Sequence, residues 1–196
     1  STIAVFGSAS RISETTPERP QTYYGSSKLK ADKELMAMSD REFKAAIIRP
    51  PMAYGGGMAP GNMLRLIRLV NKHIPLPFGS ARNSRDFINV KNLVEFIHLA
   101  VEKEVEGVFY PTDKVPYSTR NVVEEISRQL GVHTVNLPSP SIFLKLVEKV
   151  RPDLYQKLWG DVVIDRQLAL SAIGYEPRYT LEDGIREMVE SFKQQK

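Results

Sequence analysis

Apolar and polar positions change rhythm several times along the chain. Ser1–Phe6 is a compact apolar run with Thr2, Ile3 and Val5, stopped by Gly7, and it predicts a buried strand. The next stretch is polar and carries Pro17 and Pro20 among serines and threonines, the chemistry of a loop. From Gly25 to Met38, Ala31, Leu35 and Met38 fall on one stripe among lysines and glutamates, which predicts a helix. Ala45–Ile48 reads as a second short strand running into Arg49-Pro50-Pro51. Strand, loop, helix and strand in that order describe a βαβ unit of a parallel sheet, with strand ends facing a ligand crevice.

After Tyr54-Gly55-Gly56-Gly57 the spacing turns helical. Met63–Val70, Leu93–Val101, Ser118–Leu130, Ser141–Val150 and Tyr155–Trp159 all read as helices. Phe96, Ile97 and Ala100 form the apolar face of the second of these. Gly131 is a stop signal for the third. Pro75–Gly79 is predicted to be extended, Asp86–Val90 to lead into a helix, and Val108–Tyr110 to be a strand. Thr180-Leu181-Glu182-Asp183 has the spacing of a capping box ahead of a last helix to about Phe192. No repeat or low-complexity tract interrupts the series. The glycine-rich turn divides the chain into 1–55, a sheet-forming part, and 56–196, a mainly helical lobe into which sheet elements return.

Composition narrows the function classes. Length and the 42% of hydrophobic residues in 196 suit one domain, or one domain with a small lobe. The net charge of +4 is slight and scattered, which predicts no nucleic-acid partner. No cysteine is present, so disulfides and thiolate metal sites are excluded. No apolar run reaches the roughly 20 residues of a membrane span, and the expected location is the cytoplasm. His73, His98 and His133 lack ligand spacing, so no metal is inferred; His98 is expected to be structural. Trp159 is expected to pack between helices, and Arg65 and Arg68 to be solvated.

Chemistry concentrates at Tyr24-Gly25-Ser26-Ser27-Lys28. Spacing of i to i+4 sets a tyrosine and a lysine on one helical face. A phenol ordinarily titrates near 10, and a neighbouring cation favours the phenolate. The pair can therefore exchange a proton with a substrate hydroxyl. Taken alone, YxxxK more often marks a packed tyrosine beside a solvated lysine. Tyr23 competes for the role but lacks the spacing to a lysine.

Other segments follow in a fixed order: Ser1-Thr2-Ile3-Ala4-Val5-Phe6-Gly7, then Arg49-Pro50-Pro51-Met52-Ala53-Tyr54-Gly55, Gly61-Asn62, Arg85-Asp86-Phe87-Ile88-Asn89-Val90 and Gly174-Tyr175-Glu176-Pro177. This series resembles the extended short-chain dehydrogenase/reductases, in particular the NAD-dependent epimerase/dehydratase family that acts on nucleotide sugars. The resemblance covers essentially the whole chain. It implies an α/β fold: the C-terminal part of a Rossmann-type parallel sheet with a smaller, mostly helical substrate-binding lobe. It implies that Thr2, Tyr24 and Lys28 are catalytic, and that Tyr24, Lys28, Pro50 and Pro51 meet NAD or NADP. It also implies that Asn62 contacts the substrate and that Arg85 pairs with its diphosphate, a task suited to a planar, always-charged fork. The plainer reading of Arg85 is an ion pair with Asp86 or another acid.

Three departures qualify the likeness. The family's G-x-x-G-x-x-G fingerprint does not occur, and Gly55–Gly57 follows a different element. Met52 stands where many sugar-nucleotide epimerases carry Asn, which favours members that reduce 4-keto sugars. Leu158 falls where many place a second phosphate-binding Arg, with Lys157 or Arg151 as substitutes. The chain opens at Ser1 in an apolar run and is read as lacking the dinucleotide-binding half. The expected activity is thus that of the parent protein: NAD(P)-dependent epimerisation or reduction at hexose C4, on a UDP-sugar. Residues 1–196 alone are expected to be inactive and to bind NAD(P) weakly. Their partners would be a nucleotide sugar and either a second copy or a complementing N-terminal segment on the apolar edge at Ser1–Phe6. The alternative is a non-catalytic fragment or binding module that keeps the fold without the cofactor site.

Overall fold

The computed structural model describes residues 1–57, 61–170 and 173–195. The chain is woven into two compact units, each assembled from three separate stretches. The first comprises Ser1–Ala53, Asp86–Val115 and Val162–Arg178; the second comprises Tyr54–Arg85, Pro116–Asp161 and Tyr179–Lys196.

The first unit carries the strands. β1 (Arg11–Ile12) pairs in parallel with β6 (Val163–Ile164), and β2 (Ala46–Ile48) pairs in parallel with β5 (Gly107–Phe109), Ile47 opposite Val108. β3 (Met52–Tyr54) pairs with β4 (Phe87–Asn89). The helices are α1 (Tyr23–Ala37), α3 (Val90–Glu102) and α7 (Arg166–Leu170). One apolar cluster gathers Val5, Phe6, Ile12, Leu29 and Ile164; another gathers Phe96, Ala100, Phe109, Ile173 and Tyr175. The Gly-Tyr-x-Pro segment serves the second cluster. Tyr175 stands edge-on to Phe96 at 5.3 Å, and its hydroxyl donates to the Asn92 carbonyl at 2.8 Å. The Asn92 side chain in turn donates to the buried Asp113 carboxylate at 2.7 Å.

Three expectations fail in this unit. Ile3–Phe6 is a 3-10 helix, not a strand. Its backbone groups are used locally: the Thr2 hydroxyl accepts from the Ala4 N–H at 3.2 Å, and Gly7 closes the turn with φ 63. The Ile3 N–H donates to the Pro50 carbonyl instead of a ladder partner. Consequently Ser1–Phe6 presents no sheet edge, and the βαβ unit expected from Ser1 to Ile48 lacks the first strand assigned to it. The stripe expected on α1 is also displaced. Ala31, Leu35 and Met38 are exposed, whereas Gly25, Leu29 and Asp32 face inward. The reason is a buried cation that meets Asp32 from outside the helix, described below. On α3, Phe96 and Ala100 are buried as expected, but Ile97 is exposed.

The second unit is helical: α2 (Asn62–Asn71), α4 (Thr119–Leu130), α5 (Ser141–Val150), α6 (Pro152–Leu158) and α8 (Leu181–Gln194). α4 packs on both α2 and α8, through Val122, Val123, Ile126 and Leu130 of α4 and Ile185, Met188 and Val189 of α8. Local chemistry sets the ends. Ser118 and Asn121 form a reciprocal capping box on α4, Gly131 ends it in the left-handed region, and Thr180 with Asp183 caps α8. Trp159 is packed by Phe78, Phe143 and Tyr155 at ring distances of 5.2–6.3 Å. His98 is on the surface, paired with Glu102 at 3.4 Å.

Candidate active site

Each side chain of the expected Tyr24–Lys28 pair is placed by a local device. The Thr22 hydroxyl accepts from the Gly25 N–H at 3.0 Å and so starts α1 immediately before the two tyrosines. Tyr24 then lies one turn before Lys28 on the same face. The Lys28 ammonium stands 5.8 Å from the centre of the Tyr24 ring. Both side chains are exposed, Tyr24 at 56%; Tyr23 projects almost wholly into solvent.

Gly25 faces the other way. A Cβ there would lie 2.7 Å from the Ala4 carbonyl oxygen, closer than real contacts come, so the missing side chain is what lets α1 rest on the 3-10 helix. That contact brings the start of α1 against the turn that Thr2 caps. The Ile3 N–H, donating to the Pro50 carbonyl at 3.3 Å, adds the third segment. Thr2, the start of α1 and Pro50 thereby all meet the 3-10 helix, and Pro51 is buried.

Beneath this surface is a network that the sequence did not single out. Arg49 is 3% exposed. Its Nε donates to Asp32 Oδ2 at 2.8 Å, its Nη2 meets Glu18 Oε1 at 2.6 Å, and its Nη1 donates to the Tyr110 hydroxyl at 3.2 Å. The guanidinium also lies 5.5 Å from the centre of the Phe6 ring. Asp32 takes a second bond from the Ser1 hydroxyl at 2.8 Å. Burial works against the Arg49 charge, but the bonds to Glu18 and Asp32 outweigh it and hold its pKa above the ordinary value. Burial pushes the Tyr110 phenol up, with Arg49 opposing. One cation thus ties α1, the 3-10 helix, the Glu18 loop, β2 and β5 together, one residue before Pro50. A signal did exist: Gly25, Leu29 and Asp32 recur at i, i+4 and i+7, a buried stripe with an acid in it.

Asn62 and Arg85 belong to the second unit. Asn62 is the first residue of α2 and is exposed. Arg85 exchanges backbone hydrogen bonds with Tyr117, and its Nη1 donates to the carbonyls of Gln156 and Gly160, each at 2.7 Å. Burial lowers its pKa, with Asp161 opposing. The neighbouring acid is not its partner: Asp86 makes a short ion pair with Arg166 and accepts from the Ile164 N–H at 2.7 Å. Leu158 offers only its carbonyl, to the Thr119 hydroxyl, while Arg151 and Lys157 are exposed at the two ends of α6.

Comparison with known proteins gives a consistent picture. The model of the NAD dependent epimerase/dehydratase family matches residues 1–110. A UDP-glucose 4-epimerase from Vibrio cholerae is 35% identical over 181 residues, covering 89% of this chain and 55% of that protein. The chain spans about half the length of the curated relatives it matches. Among solved structures, the UDP-glucuronic acid 4-epimerase of Bacillus cereus in complex with NAD superposes with a TM-score of 0.76 at 21% identity, over 99% of this chain and 60% of that one. RMD from Pseudomonas aeruginosa, complexed with NADPH, gives 0.72 at 16% identity, over all of this chain and 66% of its own. The fold is α/β of the Rossmann type.

Proposed function

Because the chain belongs to the NAD-dependent epimerase/dehydratase family, we propose that the protein it represents performs NAD(P)-dependent epimerisation or reduction at C4 of a hexose carried on a nucleoside diphosphate, UDP being the favoured nucleotide. The observation that carries this reading is the meeting of Thr2, Pro50 and the start of α1, which carries Tyr24 and Lys28, at one 3-10 helix. The exposed Tyr24–Lys28 turn beside the Pro50 carbonyl fits the nicotinamide riboside end of the cofactor. Lys28 would hold the ribose hydroxyls, and the Pro50-Pro51 backbone would line the ring. Bound NAD(P) supplies the hydride acceptor and donor.

The residues of the chain manage the proton. Tyr24 takes the hydrogen of the C4 hydroxyl while the C4 hydrogen departs as hydride, leaving a ketone at C4. Thr2 donates to the same oxygen and steadies it as its charge changes. Tyr24 would return the proton to the C4 oxygen when the ketone is reduced, giving the epimer if reduction comes from the opposite face; starting from a 4-keto sugar, this second half alone would be a reduction. Arg85 would pair with the diphosphate, and Asn62 would contact the substrate.

The test is made on the protein as its gene encodes it, supplied with NAD. Conversion of UDP-glucose to UDP-galactose without net NADH supports the epimerase form. Stoichiometric NADH or NADPH oxidation by a UDP-4-keto sugar supports the reductase form. Neither conversion, together with no NAD(P) binding, favours a non-catalytic module that keeps the fold without the cofactor site. Arg85→Ala is expected to raise KM for the nucleotide sugar on the order of tenfold or more, the scale of a charged hydrogen bond, and to leave calorimetric NAD affinity unchanged. An unaltered KM would leave Arg85 only its bonds to Gln156 and Gly160.

A further inference from the structure

None of the ten residues of α5 is buried, and the same holds for the seven of α6 that follow it. The α5 sequence, Ser-Ile-Phe-Leu-Lys-Leu-Val-Glu-Lys-Val, is nonetheless strongly two-faced. Leu144 and Val147 are half-buried, and Phe143 stands edge-on to Trp159 at 6.3 Å, so this side holds the helix to its unit. Ile142, Leu146 and Val150 recur at i, i+4 and i+8 on the adjoining side and are 81%, 58% and 63% exposed. Large aliphatic side chains in a row, open to water, mark an interaction surface.

The charges around the stripe select the partner. Lys145 and Lys149, one turn apart, run along its edge on the side away from Trp159. Arg151 and Lys157 follow on α6, which packs against α5, and only Glu148 and Asp153 oppose them within the hairpin. An apolar row bordered by lysines is the pattern of a helix lying in the headgroup region of a bilayer, with aliphatic side chains down and ammonium groups reaching outward to phosphates. The geometry points to α5 as a docking helix for an anionic lipid surface. Three aliphatic side chains on a helix about 15 Å long give reversible attachment in the plane of the membrane. Among the described residues, no helix is long and apolar enough to cross one. This attachment is independent of the reaction at Tyr24.

Vesicle flotation tests it, with the protein as its gene encodes it and two lipid preparations: phosphatidylcholine alone, and phosphatidylcholine mixed with phosphatidylglycerol. The protein is expected to float with the mixed vesicles at low salt, to be released as salt is raised, and to stay behind with phosphatidylcholine alone. Leu146→Asp should weaken flotation roughly tenfold or more, from the lost apolar burial. Lys145→Gln and Lys149→Gln should each weaken it on the order of fivefold, with the helix left apolar. Circular dichroism and a thermal melt report whether each variant keeps its fold. Equal flotation with both lipid preparations, or flotation indifferent to all three substitutions, overturns the proposal. So does a change of molecular mass in lipid-free sedimentation with Leu146→Asp while flotation persists; the stripe would then be covered by a second copy or another protein segment.

Discussion

Tyr24→Phe is expected to lower turnover by about 100-fold or more, the usual scale for removing a positioned acid–base group, while the melting temperature stays where it was. The second half of that expectation comes from the site's construction. Tyr24 is held through its ring, beneath the Lys28 ammonium, and through its carbonyl, which accepts from the Ser27 hydroxyl at 2.9 Å. Neither contact needs the phenol oxygen, and the side chain is more than half exposed. Steady-state kinetics and a thermal melt on the NAD-loaded natural protein decide the matter. Turnover close to that of the unmodified protein would remove the phenol from the mechanism and leave YxxxK as a surface pairing.

Arg49→Met is expected to have the largest effect on folding. It would leave Asp32 and Glu18 facing a hydrocarbon, with Asp32 buried and held only by the Ser1 hydroxyl. Removing one partner from a buried pair typically costs about 3–5 kcal/mol, because the remaining charge stays buried without compensation. Urea unfolding of this chain measures it. The added change Asp32→Leu should restore part of the loss, since removing both charges is milder than removing one. A loss below about 1 kcal/mol, the level of a surface pair, would show that Arg49 can be relieved by water.

How much of this was legible follows from the range of the interactions. The capping boxes at Ser118 and Thr180 and the stop at Gly131 use groups within three or four residues, so the helices they bound could be read from the sequence. The pairing of Tyr24 with Lys28 was readable for the same reason, one helical turn being a local matter. Ser1–Phe6 has the composition of a strand, yet its backbone groups close locally through the Thr2 cap and the Gly7 turn, and its Ile3 N–H goes to Pro50, far along the chain. Asp32 was passed over because an acid inside a helix normally faces water; it is buried here only because Arg49 arrives from 17 residues away. Leu35 and Met38 share a stripe by helical spacing, yet they are exposed, because the inward face of α1 is the one on which Gly25 meets Ala4 and Asp32 meets Arg49.

The weaving of the chain into two units has a consequence for how such a protein can change. Each unit is built from three stretches that alternate with those of the other. No single cut point separates them, so a recombination event at one site mixes segments of both and leaves neither intact. The helical unit therefore cannot be exchanged between relatives as a cassette, in the way that end-to-end domains can. Change in that unit proceeds by substitution in place, residue by residue, or by insertion into loops such as those flanking α5 and α6, whose lengthening leaves the order of the weave undisturbed.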